Sequence, residues 1–288
     1  MDSEHAPSIS PQRGREIKPR KMPFRFGADI PRHWFWGSPF ATHMANGINL
    51  LFPLGERFFV RAVRHFADRI DDPELQQQVK GFVGQEVRHG LEHERFFEVL
   101  EAQGYDIRTF LRIYERIAFD GLEKLFSPKM GLSVTVALEH FTATLAEGAL
   151  TRDFLQHAHP TMRDLLLWHA AEELEHKAVA FDVLKQVDDS YALRIAGLLM
   201  ASATLVPFWF SAAVMLMHQD RDVSLPLLLA DRRRVRQVER KDGGRLAAAF
   251  VEYLRPGFHP NDRDDGHLAR AFFEAYSARR GERASTPD

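Results

Sequence analysis

The sequence predicts an all-α protein: a helical bundle followed by extra C-terminal helices, one of them strongly apolar. Three observations carry this expectation. Long stretches place apolar residues at three- and four-residue intervals, whereas strand-like alternation is scarce. Helix stop and start signals separate the stretches: Asp71-Asp72-Pro73, Gly104, Ser127-Pro128, His159-Pro160 and Asp188-Asp189-Ser190. The marks of common α/β folds are missing, with no glycine-rich phosphate loop, no Gly-x-Ser-x-Gly elbow and no solenoid-period repeat.

In chain order, residues 1–22 are polar and basic and read as a flexible arm. Residues 22–39, MPFRFGADIPRHWFWGSP, are aromatic and punctuated by Pro and Gly, as in a loop that packs. A first helix runs from Phe40 to about Ile70, with a kink or restart expected at Pro53 and Gly55. A second spans Glu74 to Gln103, where Gly104 stops it. Residues 105–126 form a partly helical connection. Ser127 caps a third core helix over 128–156, with Pro128 at its first position. A fourth covers 161–187, so the bundle domain is 23–190. The fifth contains residues 195–217, IAGLLMASATLVPFWFSAAVMLM, without a charge; it suits a membrane or a buried interface. With the basic cluster that follows, residues 191–255 are expected to pack on the bundle or on an anionic membrane face. Residues 256–288 read as a polar tail in which HLARAFFEAYSARR can form one amphipathic helix.

Bulk composition narrows the chemistry. The 288 residues are 45% hydrophobic and 27% charged, ordinary for a globular protein able to bury a core. A net charge of −2 implies no general attraction to nucleic acid. The absence of cysteine excludes disulfides, iron–sulfur clusters, thiolate zinc and a cysteine nucleophile. Any metal must be held by His, Asp and Glu. The N-terminus has no apolar signal-peptide core, so the expected location is the cytoplasm, with association with the inner membrane through 195–217.

HAAEELEHKAVAFDV, residues 169–183, crowds histidines and glutamates beside an apolar run. Glu173 and His176 lie one turn apart, about 60° around the helix axis. Glu86 and His89 repeat the spacing on the second helix, while Glu56 and Glu139 stand in apolar stretches of the first and third. Unpaired carboxylates would be costly to bury there. The order Glu, Glu-x-x-His, Glu, Glu-x-x-His on four successive helices is that of ferritin-like di-iron or di-manganese carboxylate bundles. Four carboxylates balance two divalent ions, and imidazole suits iron. His169 shares the face of Glu173 and His176 and is placed to be a third imidazole ligand, or else to donate to a backbone carbonyl. His93, on the face of Glu86 and His89, competes as the extra ligand; its other reading is packing behind the site. Thr142, one turn from Glu139, is a candidate to hydrogen-bond oxygen at the metal, or to bond its own helix backbone. Glu92, Glu94, Glu172 and Glu175 point elsewhere and are expected to be solvated or salt-bridged, and His140 is turned about 100° from Glu139. The many phenylalanines near the ligands are core; any that bound a pocket would make its substrate apolar.

RKMPFRF, PRHWFWGSP and LLFPLGERFFVRAVRHFAD, with GQEVRHGLEHERF and WHAAEELEHKAVAFDV, resemble the bacterial family labelled predicted metal-dependent hydrolase, over roughly residues 20–220. That resemblance implies a ferritin-like bundle around metal. His169-x-x-x-Glu173-x-x-His176 also resembles the fourth ligand helix of di-iron arylamine N-oxygenases, where the upstream histidine is an extra iron ligand. The function expected first is a non-haem di-iron enzyme (two Fe ions, with Mn or Zn as alternatives) that uses O2 as co-substrate. It would oxidise a small apolar or lipid-like substrate by hydroxylation, desaturation or N-oxygenation, with an external electron donor. A two-metal hydrolase is the alternative, and a non-enzymatic, membrane-associated metal protein the third reading. Homodimerisation through apolar helices is a further expectation.

Overall fold

A computed structural model describes residues 16–239 and 244–285. Among these residues the chain is all-α. The helices are α1 (Pro39–Arg64), α2 (Pro73–Ala102), α3 (Ile107–Tyr114), α4 (Glu123–Leu125), α5 (Pro128–Thr151) and α6 (Pro160–His176). They continue with α7 (Val179–Val187), α8 (Tyr191–Gln219), α9 (Leu225–Glu239), α10 (Arg245–Tyr253) and α11 (Gly266–Ser285).

The helix starts follow from local chemistry. Ser38, Asp72 and Ser127 cap α1, α2 and α5 by accepting hydrogen bonds from Ala41, Glu74 and Met130. Each is followed by proline at a position whose N–H has no intrahelical partner anyway. The helix does not restart at Pro53: α1 runs through it as one element. The fourth expected helix is two: Lys177 and Ala178 separate α6 from α7. Between α3 and α4 the connection is a π-helix, Glu115–Leu122, a wound-out form frequent at functional sites.

Helices α1, α2, α5 and α6–α7 pack around one buried polar centre. Leucine, valine and aromatic side chains fill the space above and below it in two clusters. Helix α8 lies along α1 and α5. Gly197 sits against the Ser133 backbone, and a Cβ on Gly47 would come within 3.0 Å of the Ala213 nitrogen, so the axes approach closely.

Both ends of the described residues pack on the bundle, the C-terminal one through the amphipathic helix expected there. Residues 1–15 of the expected flexible arm lie outside the described residues, but its last residues pack on the bundle. Ile17 and Met22 are buried, with Ile17 seated on Gly81 of α2, because apolar side chains have a groove to fill. The polar tail is ordered up to α11, where Ala269 and Phe272 join the core beside α6. Arg20 lies over the Phe273 ring at 3.6 Å and so ties both ends together.

Candidate metal centre

Each of the four helices delivers its charged residues inward because the flanking positions are apolar and bury. Glu56, Glu86, His89, Glu139, His169, Glu173 and His176 are all buried and converge. Three overlapping groups have donor atoms within 4.8 Å of one another: Glu56 with His89 and His169, Glu86 with His89 and Glu173, and Glu86 with Glu139 and His176. Glu86 and His89 each belong to two groups, so the centre is continuous. His176 Nε2 lies 3.1 Å from Glu86, 3.4 Å from Glu139 and 3.5 Å from Glu173. His169 Nε2 is 3.0 Å from Glu173 and 3.8 Å from Glu56.

The atoms facing the centre are short of partners. Both carboxylate oxygens of Glu56, Glu86 and Glu139 are buried without a hydrogen bond, as are Glu173 Oε2, His89 Nδ1 and His176 Nε2. Buried polar atoms are almost always paired, and so many orphans at one point call for a bound cation. Harder oxygen donors with imidazole nitrogen suit iron, manganese or zinc. The residues therefore fit a metal site.

The outward nitrogens fix the tautomers. Gln85 Nε2 donates to Glu175, at 2.8 Å, and to the Lys18 carbonyl, so its Oε1 must accept from His176 Nδ1, at 2.9 Å. The lone pair of His176 is then on Nε2, facing the centre. His89 Nε2 donates to Glu172 at 3.1 Å, which leaves the Nδ1 lone pair inward. On the third ring the chain is longer. Asn49 Nδ2 donates to the Ala45 carbonyl, so Asn49 Oδ1 accepts from His93 Nδ1 at 2.7 Å; His93 Nε2 then accepts from His169 Nδ1 at 2.6 Å. His169 presents Nε2 to Glu56 and Glu173. Such outward hydrogen bonds orient metal-binding imidazoles.

These partners decide between the expected roles. His93 is not placed as the extra ligand, because both its nitrogens are engaged; it holds His169 instead. Glu172 and Glu175 are buried and salt-bridged rather than solvated: Arg20 contacts them at 3.1 and 2.6 Å. Glu92 is buried and pairs with Arg95, while Glu94 pairs with Arg57 at the surface. Thr142 bonds its own helix through the Glu139 carbonyl, at 3.0 Å, and its side chain also lines the cavity beside the centre. His140 Nε2 turns away to the Ala249 carbonyl. Sequence reasoning missed Gln85, Glu172, Asn49 and Arg20. Only the density of buried acid in EELEH hinted at them.

Electrostatics report the same shortage. Burial raises Glu56 and Glu86 above the usual carboxylate range, and raises Glu139 to about 8 despite His176 beside it. Burial alone would lower His89, but its hydrogen bond to Glu172 and the charges of Glu86 and Glu172 raise it to about 10. Burial and the neighbouring His89 charge lower His169 to about 4. In the metal-free protein, protons stand in for the missing positive charge.

A narrow cavity of about 90 Å³ reaches the centre at Glu56. Its walls include Phe52, Phe58, Phe59, Phe119 and Phe208, and its rim carries Glu123, paired with Arg61 at 2.6 Å. Tyr114 lines it too; the hydroxyl lies 4.0 Å from the place of a Cβ on Gly55. Burial, with the Glu56 charge, raises the phenol above its ordinary value, so it remains a hydrogen-bond donor.

Among known proteins, no curated relative and no solved structure matches the chain. Residues 18–264 match one family model, so a protein whose buried histidines and glutamates can hold metal belongs to the family described as predicted metal-dependent hydrolase.

Proposed function

We propose that the chain is an enzyme with a ferritin-like dinuclear centre, two iron ions, and that it oxidises an apolar or lipid-like substrate with O2. The observation that carries the reading is the set of three imidazoles, each held by an outward partner so that its other nitrogen faces a cluster of buried carboxylates, most of whose oxygens lack hydrogen bonds. Glu56, His89 and His169 would hold one ion and Glu86, Glu139 and His176 the other, with Glu173 in reach beside Glu86 and His89. The ions would supply O2 activation, and an external donor the electrons. The protein's own residues do the rest. Phe58 and Phe59 exclude water, and the phenylalanine walls admit a chain of carbon rather than a charged molecule. Tyr114 offers a neutral donor to a polar atom of the substrate. Hydroxylation, desaturation and N-oxygenation all fit such a pocket.

Two-metal hydrolysis is the second reading, favoured by the family's description. The cavity speaks against it: apart from Glu56, its polar side chains are Tyr114, Thr142, Thr204 and the salt-bridged Glu123, a poor set for protonating a leaving group. Anaerobic purification, metal analysis and admission of O2 under a visible spectrometer distinguish the readings. About two irons per chain and a transient visible band are expected. Two zinc or manganese ions with no response to O2 would move hydrolysis to first place, and no metal in the purified protein would defeat both.

A further inference from the structure

The outward face of α8 has the wrong character for a helix in water. Leu199, Ala203, Val206, Phe210 and Val214 recur at three- and four-residue steps and form one exposed stripe. Val206 is 46% exposed, Phe210 51% and Val214 59%. A surface helix ordinarily turns charge outward, and contiguous exposed apolar surface marks an interaction site. The opposite face of α8 is closed against α1 and α5 through Gly47 and Gly197, so the helix lies along the bundle instead of standing free.

The stripe continues at the mouth of the cavity. Leu205 and Phe208 of α8 form one lip, with Val206 and Phe210 beside them on the outside. Ala118, Phe119 and Leu122 of the π-helix form the other, and next to them Ile117 is 48% and Leu125 81% exposed. Beyond the C-terminal end of α8, helix α9 begins with exposed Leu225, Leu227 and Leu229 and then exposes Arg232, Arg233 and Arg236.

We infer that this face docks on an anionic lipid surface, with the apolar stripe and the π-helix lip in the interface and the arginines against acidic headgroups. Apolar side chains followed by a run of arginines match the two layers such a surface presents. A second copy of the chain would bring the same positive charge to the contact. Docking sets the cavity mouth against hydrocarbon, so an apolar substrate reaches it without crossing water. The docking surface stands on the outer faces of α8, the π-helix and α9 and is independent of the reaction at the metal centre.

The test is co-sedimentation of the full-length, metal-loaded protein with vesicles of phosphatidylcholine alone or mixed with phosphatidylglycerol. Binding to the anionic vesicles is expected, at least about tenfold stronger than to neutral ones and weakened by salt. Phe210→Glu and, on the other lip, Leu125→Asp should each lower binding about tenfold or more at unchanged metal content and melting temperature. Changing Arg232, Arg233 and Arg236 to Gln should abolish the preference for anionic lipid. If Phe210→Glu fails to fold, Leu125→Asp carries the test alone. The inference is overturned if the parent protein stays in the supernatant with both vesicles. It is equally overturned if light scattering shows a dimer that Phe210→Glu or Leu125→Asp dissociates while vesicle binding is absent, because the face is then a self-interface.

Discussion

Asp220 and Glu139 are both buried carboxylates that face imidazoles, yet their acidities move in opposite directions. Asp220 Oδ2 accepts hydrogen bonds from His33 at 2.7 Å, His43 at 2.8 Å and Tyr105 at 3.1 Å, and its Oδ1 accepts from the Asp222 backbone. Burial pushes Asp220 up, but the bonds from His33 and His43 outweigh it and bring the carboxyl down to about 2. Neither oxygen of Glu139 has a hydrogen bond, and burial carries it to about 8. His33, His43 and Asp220 lie close enough together to resemble a ligand group. Both Asp220 oxygens, however, are already engaged by His33, His43, Tyr105 and the Asp222 backbone, which makes the group a clamp joining the 30s loop, α1 and the end of α8. At the main centre the spare valences point inward. Residue type does not separate a metal site from a clamp; what the donor atoms have left over does.

The contrast can be broken by mutation, and the largest effect falls on metal binding. Glu86 belongs to two of the donor groups, so Glu86→Ala should lower metal affinity by more than the 10–100-fold typical of residues behind the ligands. The metal-free variant should melt no lower than the metal-free parent, since it loses a buried carboxylate without a hydrogen bond. Metal titration with parallel thermal melts measures both. Asp220→Ala should do the reverse: unchanged metal content and a loss of about 2–4 kcal/mol in denaturant unfolding, because His43 and Tyr105 are left buried without their acceptor.

A smaller effect sharpens the comparison within the centre. His93→Ala and Gln85→Ala remove the outward partners of His169 and His176 and should weaken metal binding by about 10–100-fold each while leaving the ligands in place. Binding isotherms that match the parent would mean that the tautomers need no such support.

The smallest effect is on the pH dependence of the metal-free protein. Folded Glu139 keeps its proton to about pH 8, whereas its ordinary value is 4.5, so the folded state binds more protons in that interval and stability falls as pH rises through it. His89, at about 10 against an ordinary 6.5, acts in the same direction from pH 6.5 upward. His169 and His140, both lowered to about 4, act oppositely but are finished by pH 6.5. Between pH 7 and 9 in a chelator the protein should therefore lose stability, by about 1 kcal/mol or more. Saturating metal should flatten the slope, since the ion replaces the protons. A flat profile in chelator would show that the carboxylates find another counter-charge.

Helix order, most helix ends and the inward direction of the Glu-x-x-His pairs are legible in the sequence. They depend on spacing within one helix, on caps such as Ser38 and Ser127, and on a pattern of apolar flanks that has a single periodicity. The role of His93 is not legible there, because Glu86, His89 and His93 share a face and only contact with His169 and Asn49 reveals what the outer ring does. The π-helix of residues 115–122 escapes as well; no motif marks it, and only the fold sets its Ala118, Phe119 and Leu122 against the cavity. Arg20 lies in a segment that reads as a free arm, and its hold on Glu172 and Glu175 joins residues more than a hundred positions apart. For residues 195–217, composition alone leaves a span and a buried helix both open; packing assigns one face to the bundle and leaves the other apolar face outside.

By itself, then, the sequence determined which residue types meet at the candidate metal centre and which helix carries each, because a Glu-x-x-His pair one turn apart is a local property of the chain. Only the tertiary structure decided which nitrogen of each histidine faces inward and which carboxylates stay unpaired. A tautomer is chosen by the hydrogen bond at the other ring nitrogen, and at this centre every one of those partners comes from a different helix.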